Sequence, residues 1–148
     1  MKTALLVSVV LPPYRGQLLA NPDFAGDTTT GWLTGNSATL SVVSSRLRTT
    51  NGGANFGYAY QAFRTIPGRR YRIQATRNGA TSTANTYLRA GTTLNGYDYF
   101  DTLRTNSTPW SDIFTATTSL CYLMVVNAAS TLGLYSDVSG FDARLYTA

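Results

Sequence analysis

A chain of 148 residues is long enough for one domain that buries about two-thirds of the surface its unfolded form exposes, so a packed core requires neither metal nor disulfide. With 43% hydrophobic and 13% charged residues, it lacks the charge-rich, apolar-poor composition of disordered chains. The net charge of +5 comes almost wholly from arginine, and the absence of histidine removes Ser-His, Cys-His and His-metal chemistry together.

Helix is expected to be scarce. The chain contains no glutamate and a single lysine, Lys2, whereas threonine and tyrosine, which favour strands, are abundant. Residues 1–11 carry one early positive charge and an apolar run, Ala4-Leu5-Leu6-Val7-Ser8-Val9-Val10-Leu11, that superficially resembles a secretory leader. The run is at the short limit for such a leader, is followed by Pro12-Pro13-Tyr14-Arg15 without a small-x-small cleavage site, and is far too short to span a bilayer. The expectation is therefore an extended N-terminal arm over 1–16 and a β-sandwich over 17–148. Leu5, Val7, Val9, Leu11, Tyr14 and Arg15 are the assembly residues of the arm, which docks on a neighbouring subunit or adds an edge strand to its own sheet.

After the prolines, 16–24 predicts a short strand ending in a turn, and 27–31 a Thr-rich loop that delivers Trp32. Residues 38–43 and 45–50 predict two strands around a Ser-Ser turn, and Asn51-Gly52-Gly53 a break, since it lacks the Lys-Ser/Thr that a phosphate loop needs. Residues 56–66 alternate, with Phe56, Tyr58, Tyr60 and Ala62 on one side and Gly57, Ala59, Gln61 and Phe63 on the other. Pro67-Gly68 fits a type II turn, so 56–66 and 69–77 predict a hairpin. Further strands are predicted over 83–91, 97–105, 110–117, 120–127, 131–135 and 140–146. Strands at roughly ten-residue spacing with polar turns define an all-β sandwich or barrel.

The arginines 64, 69, 70, 72 and 77 read as the wet face of a strand, alternating with Tyr71, Ile73 and Ala75, rather than as a nucleic-acid site; such a face also suits an acidic neighbouring subunit. Cys121, alone inside the apolar run 120–126, reads as a small buried hydrophobe.

Three segments carry a family likeness. Leu18-Leu19-Ala20-Asn21-Pro22-Asp23-Phe24 with Gly31-Trp32 resembles the opening of jelly rolls of the carbohydrate-binding-module family 4/9, galactose-binding-like type, found also in bacteriophage structural proteins. Tyr60-Gln61-Ala62-Phe63 with Ile66-Pro67-Gly68-Arg69-Arg70-Tyr71-Arg72-Ile73 is similar to that family's central segment, and Leu134-Tyr135-Ser136-Asp137-Val138 to its closing strand. The likeness implies a jelly-roll β-sandwich of two antiparallel sheets over about 17–146, with Trp32 and Tyr71 in the core. Pro22 stands where the family usually has Gly, and Ser136 stands in place of the second closing acid. No cofactor is expected; Asp23, Asp137 and Asp142 are the candidates for calcium, against a role in capping turns.

Sugars are recognised by flat aromatic faces with amides and carboxylates nearby. The candidate glycan-binding residues are Tyr58, Tyr60, Gln61, Tyr97, Asp98, Tyr99 and Trp110, with Asn95 as a further polar partner. The competing role for these tyrosines is to cover the sheet or to meet a partner subunit. Asp98 and Asp101, three apart on a predicted strand, fall on opposite faces and do not form a glycosidase pair. The leading expectation is a non-enzymatic virion structural or accessory protein, such as a capsid decoration, head fibre or tail component, that attaches by its arm and sheet surface as a homo-oligomer or lattice subunit. The alternative is a glycan-binding adhesin at a cell surface or secreted. Neither nucleic-acid binding nor membrane insertion is expected.

Overall fold

The computed structural model describes residues 16–53, 55–81, 85–105, 107 and 109–147; the arm residues Leu5, Val7, Val9, Leu11, Tyr14 and Arg15 lie outside them. Two five-stranded sheets, antiparallel throughout, form the sandwich expected from the strand spacing. The first sheet runs β1 (Leu33–Gly35), β4 (Gly57–Arg64), β9 (Leu120–Asn127), β6 (Thr86–Gly91), β7 (Phe100–Arg104). The second runs β2 (Thr39–Val42), β3 (Leu47–Thr50), β10 (Tyr135–Leu145), β5 (Arg70–Ala80), β8 (Pro109–Thr115).

Alternation decides which way each strand faces. In β4, Ala59, Gln61 and Phe63 point inward; in β5, Tyr71, Ile73 and Ala75 meet them from the other sheet. The central strand β9 is apolar on both faces, because Leu123 and Val125 enter the core while Met124 and Val126 are covered from outside. Aromatic groups close the two ends of the core, Phe24, Trp32 and Phe141 at one and Tyr71, Phe114 and Tyr99 at the other.

Four expectations are corrected. The Pro67-Gly68 turn is present, with Gly68 at φ 81° and Arg69 N donating to Ile66 O, but the strands flanking it do not pair. β4 pairs with β1 and β9, and β5 with β10 and β8, so this turn carries the chain from one sheet to the other. Residues 16–24 form no strand; Asn21 and Phe24 adopt left-handed conformations and lead into a single 3-10 turn at Ala25–Asp27. The two closing strands fuse into β10, which absorbs register shifts on either side of Val138-Ser139. Finally, Arg77 is not on the wet face: it shares the inward parity of Tyr71, Ile73 and Ala75, and donates to Thr86 Oγ1 and Thr105 O.

Arg48, Arg72 and Arg144 of the second sheet face outward and meet carboxylates, while Arg70 lies over the ring of Tyr146. Arg48 holds Asp137 through two contacts of 2.8 Å, and Asp142 lies between Arg72 and Arg144. Of the calcium candidates, Asp137 and Asp142 are thereby engaged by guanidinium groups, and Asp23 is exposed. Among the described residues, no three carboxylate or thiol side chains gather at metal-binding range.

Cys121 lies opposite Phe63 and is fully buried, and burial pushes its thiol from 9.0 up to about 12. A folded-state pKa above the unfolded one stabilises the protein below pH 9, and this contribution is lost as pH rises toward the folded value. Between pH 9 and 12 the unfolding free energy should fall by up to about 1.4 kcal/mol per pH unit from this group. Chemical denaturation of Cys121→Ala across that range should show a flatter profile than the parent; identical slopes would contradict the assignment.

Candidate functional site

The outer face of the first sheet leaves apolar side chains uncovered, Leu33 and Leu103 among them. Register places Gly35, Tyr58, Val126, Tyr87 and Leu103 in one row across the sheet, and Leu33, Tyr60, Met124, Arg89 and Asp101 in the next. Tyr58 lies flat across β1, where a Cβ at Gly35 would sit 2.0 Å from its ring, so only glycine admits it. Its ring centroid is 6.0 Å from that of Tyr60, and the two pack with Met124 and Val126.

Arg89 is fixed from three sides. Its guanidinium donates to both Asp101 oxygens at 2.8 and 3.3 Å, and lies 4.7 Å from the Tyr87 centroid and 5.3 Å from that of Tyr97. A bidentate pair flanked by two π-faces holds this side chain in one orientation.

The chain between β6 and β7 folds back over the sheet rather than continuing as a strand. Gly91 and Gly96 make the approach possible, since a Cβ on Gly91 would fall 2.5 Å from the Gly96 carbonyl carbon. Asp98 closes this loop by accepting from Thr92 N and Thr92 Oγ1. Asn95, at φ 68°, places its backbone N–H 3.3 Å from Met124 Sδ, which brings its side chain above the sheet. At the base of the loop, Tyr99 Oη accepts from Thr117 N at 2.9 Å. Burial would raise this phenol's pKa, but the hydrogen bonds from Thr117 and Thr118 outweigh it and leave the value lowered.

These elements enclose a pocket of about 260 Å³ whose floor is Tyr58, Met124 and Val126. Asn36, Asn55 and Asn95 form its rim with Arg89, and Phe56 forms its lip. Asn36, also left-handed at φ 53°, is anchored by donation from Nδ2 to Phe56 O, which leaves its Oδ1 without a partner among the described residues. A larger pocket of about 430 Å³ lies at the sheet-crossing turn between Leu18, Phe63, Ile66 and Tyr71. There the amide of Gln17 is already engaged by Phe141 O, Leu18 N, Leu19 N and Ala143 N, and Arg64 and Thr65 also line the space; three asparagine amides and a guanidinium converge on the smaller pocket.

Of the sequence-derived candidates, Tyr58, Tyr60 and Tyr97 share this face, and Asn95 joins them. Tyr97 is 58% exposed, whereas Tyr58 is nearly covered by its neighbours. Asp98, through Oδ1, and Tyr99, through Oη, fasten the loop. Two candidates are corrected by parity. Gln61 points inward and clamps the backbone N–H and C=O of Ala20, and Trp110 is 0% exposed in the core on β8. Sequence reasoning missed Asn36, Asn55, Phe56, Tyr87, Arg89 and Met124. Of these, Tyr87 and Arg89 were legible, since they alternate with buried Leu88 and Ala90.

No family model matches the sequence, and no curated protein does. Among solved structures, the chain is similar to the CBM22-1 xylan-binding domain of Xyn10C from Paenibacillus barcinonensis, at 12% identity over 93% of this chain and 99% of that one, with a TM-score of 0.65. It is similar to TmCBM61 in complex with β-1,4-galactotriose, at 10% identity over 88% and 99%, TM-score 0.61. It also resembles the enzymatically active domain of tailspike protein 4 of bacteriophage CBA120, at 11% identity and TM-score 0.60, covering 88% of this chain but 21% of that one. At such identities these likenesses establish the fold: a β-sandwich of the carbohydrate-binding-module kind.

Proposed function

We propose that this chain is a carbohydrate-binding module that works by contact rather than catalysis and holds a saccharide against the outer face of the β1-β4-β9-β6-β7 sheet. The observation that carries the reading is convergence. Leu33, Phe56, Leu94, Tyr97 and Leu103, all exposed large apolar side chains, lie on this face, at the pocket lip or on the loop above it, around a rim of amides and one fixed arginine. Apolar faces receive the C–H surfaces of a sugar ring, and amide and guanidinium groups pair with its hydroxyls. The similar structures, a xylan-binding domain and a galactotriose complex, support the same class.

Because Phe56 and Tyr97 are exposed, replacing either should leave stability within about 0.5 kcal/mol. Phe56→Ala and Tyr97→Ala should each weaken binding to any glycan found on an array by about tenfold, equivalent to about 1.4 kcal/mol. Unchanged affinity in both variants would remove the face from the binding account.

A second reading, supported by the tailspike likeness, places the module on a virion, attached through residues 1–16 and engaging cell-surface glycans. A chain lacking residues 1–16 should then lose association with particles and keep saccharide binding.

A further inference from the structure

Taking the proposed saccharide site as given, we infer that its pocket selects a neutral sugar carrying an N-acetyl group, with the acetamido substituent seated between the amide rim and the apolar floor. Three features of the pocket lead to this class.

The first is size. At about 260 Å³ the pocket is just under the roughly 300–1,000 Å³ common for small-molecule sites, which suits one sugar ring or a substituent of one. The second is the division of its surface. Tyr58, Met124 and Val126, all buried side chains, make a floor that offers methyl, thioether and ring surface. A hydroxyl pressed onto Met124 or Val126 would lose its water without gaining a partner, whereas a methyl group is favoured there. The rim above is made of amides. Asn36 presents Oδ1 as an acceptor, because its Nδ2 is held by Phe56 O, and the side chains of Asn55 and Asn95 make no hydrogen bond among the described residues. Such a rim matches a substituent that is itself an amide: the acetamido N–H is donated to an asparagine oxygen, its carbonyl accepts from an asparagine or from Arg89, and its methyl descends to Met124 and Val126.

The third feature is charge. Arg89 is the cation of the pocket, and its Nε and Nη2 are already paired with Asp101, so its charge is balanced before any ligand arrives. A uronate or sialate carboxylate would have to compete with Asp101 for the guanidinium. A neutral carbonyl needs only the remaining Nη1.

The test is calorimetric titration, with saturation-transfer NMR, of the whole chain against methyl glycosides of N-acetylglucosamine and N-acetylgalactosamine, of glucose and galactose, and of glucuronic acid, together with the trisaccharides chitotriose and cellotriose. At least one N-acetylated sugar should bind about tenfold or more tighter than its hydroxyl counterpart, with the strongest saturation transfer at the acetyl methyl. Asn95→Gly, which tolerates the left-handed backbone and deletes only the amide, should reduce that preference severalfold. Equal or tighter binding of glucosides, galactosides or the glucuronide would overturn the acetamido assignment and leave the saccharide site standing. Absence of binding to every saccharide in the panel would overturn the site itself.

Discussion

Trp110→Ala should lower the unfolding free energy by about 3–5 kcal/mol, the range for truncating a large aromatic side chain in a packed core. For a chain of this length that corresponds to a fall in Tm of roughly 10 °C. The indole is completely buried on β8 opposite Ala75, in the same inward series as Phe114, and its Nε1 donates to Thr102 O at 3.2 Å across the edge between the two sheets. Urea unfolding should show a reduced midpoint with an unchanged slope. Saccharide affinity, measured where the variant is still folded, should stay within about twofold of the parent. A variant of parental stability with lost affinity would mean that Trp110 meets the ligand and that its placement in the core is wrong.

Asn127→Asp, which conserves shape, should destabilise by about 2–4 kcal/mol, through the loss of two buried donated hydrogen bonds and the burial of a charge. Asn127 ends β9 with a side chain that is fully buried. Its Nδ2 donates to Thr49 O at 3.0 Å and to Leu134 O at 2.8 Å, and its Oδ1 accepts from Ala129 N at 3.1 Å. These bonds tie β3 and the approach to β10, both of the second sheet, to the end of a first-sheet strand. A carboxylate keeps the acceptor but cannot donate, and it brings a charge into a dry site. The same unfolding titration tests this, and a loss below about 0.5 kcal/mol would show that solvent reaches these carbonyls.

Much of the fold was legible because β5, β8 and the second half of β4 alternate, and because β9 is one apolar run. The same parity argument already contained the corrections. Gln61 alternates in step with Ala59 and Phe63, Arg77 with Ile73 and Ala75, and Trp110 with Phe114, so all three belong inside. Residue type argued for the surface, and parity prevailed because each polar group finds a buried partner: Ala20 for Gln61, Thr86 and Thr105 for Arg77, Thr102 for Trp110. The failed hairpin has a different cause. Pro67-Gly68 encodes a turn locally, but whether the next strand pairs with the last or crosses to the other sheet depends on β9 and β10, far along the chain. The pocket was hidden for the same reason, since its rim is gathered from the turn after β1, the approach to β4, β6 and the loop over β9. Tyr58, Tyr60 and Tyr97 could be read as one group, but the amides and the arginine that accompany them could not.

The account rests on one face of one sheet being the contact surface for sugar. Backbone amide and methyl NMR of the chain, recorded while a binding saccharide is titrated in, tests this most directly. Shifts should concentrate at Tyr58, Arg89, Asn95, Tyr97, Met124 and Val126, with the outward residues of the second sheet, Arg48, Arg72 and Gln74, unmoved. Perturbations centred on β3, β5 and β10 instead, or spread evenly over both sheets, would contradict it.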